Sequence, residues 1–583
     1  MWARKTLLLI AALTALPALA DDVCGNAPTG EKALLWGDLH AHTAWSLDAY
    51  AFGAVATPAD AFAFARGQEL RLATGETTRI DRPLDFAAVT DHADAFDVMY
   101  LCTDPLYSDR AYCRAIRDAR DARRGREIFT DYLLPIVVDG EAAPVCDEPG
   151  SDCDAASRGQ WRRVQEAAND ADDPCRFTAF VGYEWSATPA GSHWHRNVVF
   201  RSDRVPDEAY DFVRYPKVED LWSALDRTCR PEDGCDVLAI PHNINMADGG
   251  GFDIDRESSE VQALRARFER LAEMHQEKGN SECLPASPDA RSEDCAFEQL
   301  PDHLRDRAPA DDSETPDERW QRSKSAFYRS LLTRGLIAYE GSERRSNPLM
   351  LGAIGSTDNH LGTPGRVQED GYWGAMSMLW QDDATRLSSS GYNPGGLVAV
   401  WAEQNTRASV FDALKRREAY ATSGPRISLR FDALDDAVSA EGACASAQGA
   451  VATAMGGTLL RRQRTPRLRI VAGMDQTPLA RIQIVKVDLR EGTIDEQVHA
   501  VADFPAGTSG TCRVWEDPDF DPNAPAYWYA RVVELPTPRW SKLLCERLGR
   551  CAEHPEADLM IEERAWSSPI WYEPGPGADP GAH

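Results

Sequence analysis

Along the first four hundred residues, short apolar runs alternate with stretches of helical periodicity. The runs are ALLW (33–36), FAAV (86–89), FTAFV (177–181), VLAI (237–240), LMLGAI (349–354) and LVAV (397–400). Between the first two, Thr57 and Pro58 precede ADAFAFARG, which reads as an N-cap, a proline in the first turn and a helix closed by Gly67. Near the end of the region, ASVFDALKRREAY (408–420) sets Val410, Phe411 and Leu414 on one face and stops before Ser423, Gly424 and Pro425. This rhythm predicts an α/β fold with a parallel sheet.

Two segments interrupt the rhythm. Residues 103–174 are rich in Asp, Arg and Cys, and residues 283–318 are polar with repeated Asp, Pro and Ser. Both read as insertions that cover or flank a site. Beyond Arg426 the period changes: RISLRF, RLRIVAG, ARIQIVKVDL and YWYARVVEL are strand-like and separated by Gly, Pro and Asp clusters. They predict a smaller β-sandwich-like domain over 426–555. The tail, 556–583, carries Trp566 and Trp571 before running into Pro and Gly, so it is expected to pack in part and end in disorder.

The chain starts with Met-Trp-Ala-Arg-Lys, an apolar run over 6–17 and Ala18-Leu19-Ala20. That is the pattern of a secretory signal peptide, 1–20, and the expected address of the mature protein is the periplasm. No later segment has the roughly 20 apolar residues needed for a membrane span, so no membrane anchor is expected. Fourteen cysteines fit an oxidising compartment. Cys102 and Cys113, Cys146 and Cys153, Cys229 and Cys235, Cys283 and Cys295, and Cys545 and Cys551 lie close in sequence, and no C-x-x-C pair exists. They read as loop-stapling disulfides rather than a zinc or iron–sulfur site, although spacing does not settle connectivity. A net charge of -30 argues against nucleic acid as a general partner, because a basic groove is what that task needs.

The chemistry sits at the ends of the apolar runs. ALLW leads into GDLHAHTAWSLD with His40, His42 and Asp48; FAAV into TDHAD with Asp91 and His92; FTAFV into GYEWS with Glu184. VLAI leads to PHN with His242, and LMLGAI to GSTDNH with Asp358 and His360. A lone histidine at a strand end is more often a hydrogen-bonded loop residue. Here H-x-H and D-x-H pairs recur, and alternate residues of a strand point to one face, where two can grip one ion. Imidazole and carboxylate suit zinc, manganese and iron.

GDLHAHTAWSLD, AVTDHAD, GYEWS, IPHN and GSTDNH resemble the metal-ligand motifs of the polymerase-and-histidinol-phosphatase (PHP) superfamily. The resemblance covers about 34–431 and is nearest to an exported branch carried as a domain of unknown function, related to carbaryl-hydrolase-like metallohydrolases. It implies a distorted seven-stranded β/α barrel over 33–425, holding two or three divalent ions (Zn, Mn or Fe). One ion would be held by His40, His42, Glu184 and Asp358. Glu184 would bridge to a second ion bound by His242, and a third would take Asp48, His92 and His360. The remaining ligand of the second ion falls in LAEMHQEKGNSEC, where His275 is the first candidate and Glu273 and Glu282 are its rivals; Leu264, Phe268 and Leu271 keep a helical spacing up to it.

His195 and Arg196, in SHWHRNVVF, read as substrate contacts, because imidazole and guanidinium suit phosphate or carboxylate oxygens. Lys278 and Arg366 are weaker candidates for that role, and Asp38 is expected to orient the strand end or a histidine. The expected function is metal-dependent hydrolysis of a small anionic substrate, with phosphoesters favoured. Carboxyl-ester, carbamate or amide hydrolysis is the alternative, and a non-catalytic metal- or polymer-binding protein the third reading. No GxSxG elbow, Walker loop or Rossmann fingerprint occurs.

Overall fold

A computed structural model describes Cys24 and residues 32–574, apart from 104–108, 119–121, 286–294, 301–312, 343–344, 374–381, 389–390, 439, 445–450, 461–463 and 558. The predicted signal peptide and much of the 283–318 insertion lie outside the described residues.

In chain order the strands that build the site are β1 (Ala33–Asp38), β2 (Phe86–Ala88), β3 (Thr178–Phe180), β4 (Gly182–Trp185), β5 (Arg196–Phe200), β6 (Val237–Pro241), β7 (Leu271–Gln276), β8 (Gly352–Gly355) and β9 (Leu397–Ala402); each apolar run contains one of them, and β4, β5 and β7 lie outside the runs. Helix α1 (Pro58–Ala65) starts as its sequence predicts. Thr57 accepts from the Asp60 N–H and the Asp60 side chain reaches back to Thr57, a reciprocal cap ahead of Pro58.

The pairing is mixed rather than parallel throughout. β1, β2 and β3 pair in parallel, but β9 lies antiparallel to β1. β4, β5 and β6 form a separate antiparallel sheet, and β7 pairs in parallel with β8. Parallel bridges His92–Glu184 and Ala41–Asn359 tie these sheets together at their site ends. The helix predicted for 408–420 ends at Lys415, and Ala419–Thr422 is β10, which returns alongside β9. Arg417, with φ 63°, makes the reversal between them.

The C-terminal region is rich in strands, and part of it joins the same large sheet. β11 (Leu479–Arg490) pairs with β12 (Ala526–Glu534), which pairs with β13 (Arg564–Ser567) and β14 (Ile570–Glu573); β13 then pairs with β10. Trp566 and Trp571 are buried, as are their neighbours in these last strands. A second, four-stranded sheet contains Ser428–Leu434 and Arg467–Gly473.

Seven disulfides staple the fold. They are the five close pairs, together with Cys24–Cys175 and Cys444–Cys512. Such density fits an oxidising, extracellular environment. Among the described residues no helix is long and apolar enough to cross a membrane.

Candidate metal centre

Beyond β1 the chain keeps its alternation: Leu39 and Ala41 are fully buried, while His40 and His42 turn together to the other side. Asp38 fastens this strand end. Its carboxylate accepts from the backbone N–H of His40 (3.1 Å), Thr357 (3.2 Å) and Gly365 (2.8 Å), and from Thr357 Oγ1 (2.5 Å). One buried side chain therefore ties β1 to the loop after β8, which carries Asp358 and His360. Burial pushes Asp38 up to about 6 despite these donors. Asp358 itself has φ 54°, left-handed backbone of the sort retained at functional sites.

Four ligand atoms then meet. His40 Nε2 lies 3.1 Å from both Glu184 Oε2 and Asp358 Oδ1, and His42 Nε2 lies 3.2 and 3.3 Å from the same oxygens. The two Nε2 atoms are 3.2 Å apart. Ligands about 2.0 Å from a tetrahedral ion stand roughly 3.3 Å from one another, so this set fits a divalent ion. The other ring nitrogens are held from behind. His40 Nδ1 faces both Glu273 oxygens at 3.0 and 3.2 Å, and His42 Nδ1 faces Ser46 Oγ at 2.9 Å. Such partners fix the tautomer that leaves Nε2 free to ligate.

The second oxygen of Glu184 serves the neighbouring space. Oε1 lies 2.7 Å from His195 Nδ1, 3.3 Å from His242 Nε2, 3.4 Å from His92 Nδ1 and 2.9 Å from Ser186 Oγ. Burial alone would raise Glu184, yet His92 and His242 beside it hold it well below the usual carboxylate range. Neither nitrogen of the fully buried His242 makes a hydrogen bond of normal geometry, an arrangement that costs free energy unless something polar is bound. Burial, with repulsion from His40, pushes His242 down and favours the neutral ring a metal needs.

On the far side, Asp48 Oδ2 is 3.1 Å from both His92 Nε2 and His360 Nε2. His360 Nδ1 donates to the Asp358 carbonyl at 2.7 Å, which aims its Nε2 inward. The His42 ring stacks on His92 and His360 at 4.5 and 4.2 Å. Ligand atoms close enough to share an ion occur in His40–His42–Asp358, His40–Glu184–His242, His42–His92–His360 and Glu277–Asp358–His360. Asp97 with Cys146 and Cys153 has the same spacing, but those cysteines are already bonded to each other.

Most of the residues singled out in the sequence converge here, and several do not. His275 turns away: its ring packs on Phe297 and Trp566 at 5.7 and 6.0 Å, and burial lowers it to about 4. Glu273 comes to the centre in its place, behind His40. The helix before them ends at Phe268 and β7 starts at Leu271. The pairing of β7 with β8 then slips, Glu273 opposing Ile354 and His275 opposing Gly355, so the bulge sends the two side chains to different faces. Glu282 is bound into the C-terminal sheet by Arg329, Arg531, Tyr529 and Trp566 at 2.7–2.8 Å.

His195 reaches Glu184, but Arg196, its neighbour on β5, points to the opposite face and pairs with Glu269 at 2.8 Å. Arg366 stacks over Trp373 and bonds the Gly371 carbonyl instead of entering the site. Lys278 does enter, beside Asp358. Ser46, Ser186 and Thr188 were not singled out in the sequence. Ser46 follows His42 by four residues and Ser186 follows Glu184 by two, the local signals that could have found them.

The cluster opens on a cavity of about 110 Å³ lined by Asp48, His92, Glu184, His195, Lys278 and His360 on one side. The other side comes from the 103–174 insertion, through Phe129, Leu133, Leu134 and Val137. That insertion therefore flanks the site.

No curated protein matches the chain. A crystal structure of a two-domain protein from Bacteroides vulgatus, described as containing a predicted PHP-like metal-dependent phosphoesterase, aligns over 85% of this chain and 90% of its own, at 11% identity and a TM-score of 0.30. The model of the family described as "Protein of unknown function (DUF3604)" matches residues 29–511 and 503–574. The chain belongs to the DUF3604 family.

Proposed function

We propose that this protein is a periplasmic, metal-dependent hydrolase of the exported PHP-like branch, cleaving small anionic phosphoesters at a centre of two or three divalent ions. The strands from β1 to β9 would form a distorted β/α barrel, with the 103–174 insertion as a cap and the C-terminal strands as a brace. The observation that carries the reading is Glu184: its two oxygens face opposite ways, one toward His40 and His42 and the other toward His92, His195 and His242. A single carboxylate shared in this way suits adjacent cations far better than a structural hydrogen-bond network.

Zinc, manganese or iron held by His40, His42, Asp358, Glu184 and His242, with Asp48, His92 and His360 alongside, would supply Lewis acidity and bring the pKa of water toward 7. The chain's own groups supply position. His195 donates from Nδ1 to Glu184, leaving Nε2 to accept from Thr188 Oγ1 at 2.7 Å, and so stands oriented at the cavity wall. The Lys278 ammonium gives the acidic pocket a cation for a substrate oxygen. In the overall reaction the water oxygen joins phosphorus, the bond from phosphorus to the alcohol oxygen breaks, and that oxygen takes the proton.

The test is a panel of aryl phosphates, phosphodiesters, aryl carboxyl esters, carbamates and amides, offered to the mature protein loaded with each metal. The expected result is cleavage of a phosphorus–oxygen ester bond, read as phosphate from the monoesters or as alcohol and phosphomonoester from the diesters, that is lost in His42→Ala and Glu184→Gln. Turnover of carbonyl esters alone would move the chemistry to carbon, and no cleavage of any phosphoester overturns the phosphoesterase reading.

A further inference from the structure

The side of the cavity facing the metal centre is apolar, and its construction is specific. Phe129–Leu133 is a π-helical turn between the helices Ala122–Ile128 and Leu134–Asp139. Pro135 has no N–H to give to the carbonyl four residues back, which disfavours regular α-helix there. The wider turn, with i to i+5 repeats, keeps Leu134 on the same face as Phe129, Leu133 and Val137, and π-turns of this sort concentrate at functional sites.

The wall is anchored where it stands. Gly125 lets the preceding helix approach the backbone closely, since a Cβ there would sit 2.5 Å from the Ala51 carbonyl oxygen. The Thr188 N–H donates to the Val137 carbonyl at 2.7 Å, joining the wall to the loop that orients His195. Cys102–Cys113 and Cys146–Cys153 staple the same insertion. Leu133 and Val137 are buried, but Phe129 and Leu134 are only half-buried, so apolar surface is left facing the cavity after the insertion has packed its own core.

We propose that this wall selects the leaving group. The substrate presents its oxyanion to the histidine, carboxylate and Lys278 side, and a small apolar group, a single ring or a short alkyl chain, to Phe129, Leu133, Leu134 and Val137. The volume sets the size: about 110 Å³ is a little below the roughly 150 Å³ of an apolar cavity that accepts benzene. The inference rests on the hydrolase reading for the word "leaving", but the binding preference is independent of turnover.

The experiment titrates phenylphosphonate and methylphosphonate calorimetrically into manganese-loaded mature protein, wild type and Phe129→Ser/Leu134→Ser, and in parallel measures hydrolysis of phenyl and methyl phosphate. Wild type should bind phenylphosphonate at least about tenfold tighter, the scale on which apolar pockets discriminate. The double variant should bring the two within about twofold while leaving methylphosphonate affinity unchanged. Should the pair fail to fold, Leu134→Ser alone should cut the preference about threefold.

Equal affinities in wild type, no binding of either phosphonate, or an undiminished preference in the variant would overturn the inference. Preferential binding with no hydrolysis of any ester would uphold this wall and sink the hydrolase reading. Hydrolysis without preference would do the reverse.

Discussion

Replacing Glu273 by Gln tests whether this residue positions a ligand or is one. The carboxylate is fully buried, and both its oxygens lie 3.0–3.2 Å from His40 Nδ1. It therefore accepts the Nδ1 proton and adds negative charge behind the ring, which raises the donor strength of Nε2. Gln retains an acceptor of similar shape and removes the charge. Loss of such an outer partner typically costs 10–100-fold in metal affinity, or about 1.4–2.7 kcal/mol at 1.36 kcal/mol per tenfold. The assay is competition with a calibrated chelator, with total metal counted in the same samples. The expected outcome is an unchanged number of ions at saturation, a dissociation constant raised 10–100-fold for one of them, and an unfolding temperature close to wild type once metal is saturating. Disappearance of a whole equivalent at saturating metal would show Glu273 to be a direct ligand and refute the argument from His40.

Other consequences are equally open to measurement. His275→Ala should leave metal content unchanged and lower stability by about 3 kcal/mol, the cost of removing a buried ring, measured by denaturant unfolding. Removing the Cys444–Cys512 bridge, which spans 68 residues, should cost about 4 kcal/mol, against about 2 for Cys229–Cys235 with its separation of 6, because stabilisation grows with the loop closed. Burial pushes Asp211 up to about 6 from 3.8, so the folded state holds this proton more tightly and stability falls as pH rises from about 4 to about 6. Asp211→Asn escapes that loss, and its thermal-stability gain over wild type should grow across that window to a ceiling of about 3 kcal/mol and then level off. A gain independent of pH would contradict the assignment.

Much of the candidate centre was legible because its histidines and carboxylates sit at strand ends in short motifs. GDLHAHTAWSLD, TDHAD, GYEWS, PHN and TDNH each bring their side chains to the same cluster. What was hidden depends on pairing between distant segments. The antiparallel return of β9 onto β1, and the antiparallel sheet of β4, β5 and β6, leave no mark on an apolar run, since a strand buried on both faces looks alike in either direction. The exchange of His275 for Glu273 follows from a bulge set by the partner strand β8. Arg196 was separable in principle, because adjacent strand residues face opposite sides and His195 had already taken the site side. The wall from Phe129 to Val137 lies some fifty residues from the nearest ligand motif on its C-terminal side, in a segment whose composition says only that it is polar and stapled.

The most direct test of the central claim is the metal content of the purified protein, counted per chain in wild type and in His42→Ala. His42 borders both the His40–Asp358 group and the His92–His360 group. Wild type should carry two or three tightly held divalent ions, and His42→Ala should lose at least one of them while remaining folded. A wild-type protein that binds no stoichiometric metal, or a His42→Ala variant that keeps its full complement, would contradict the account.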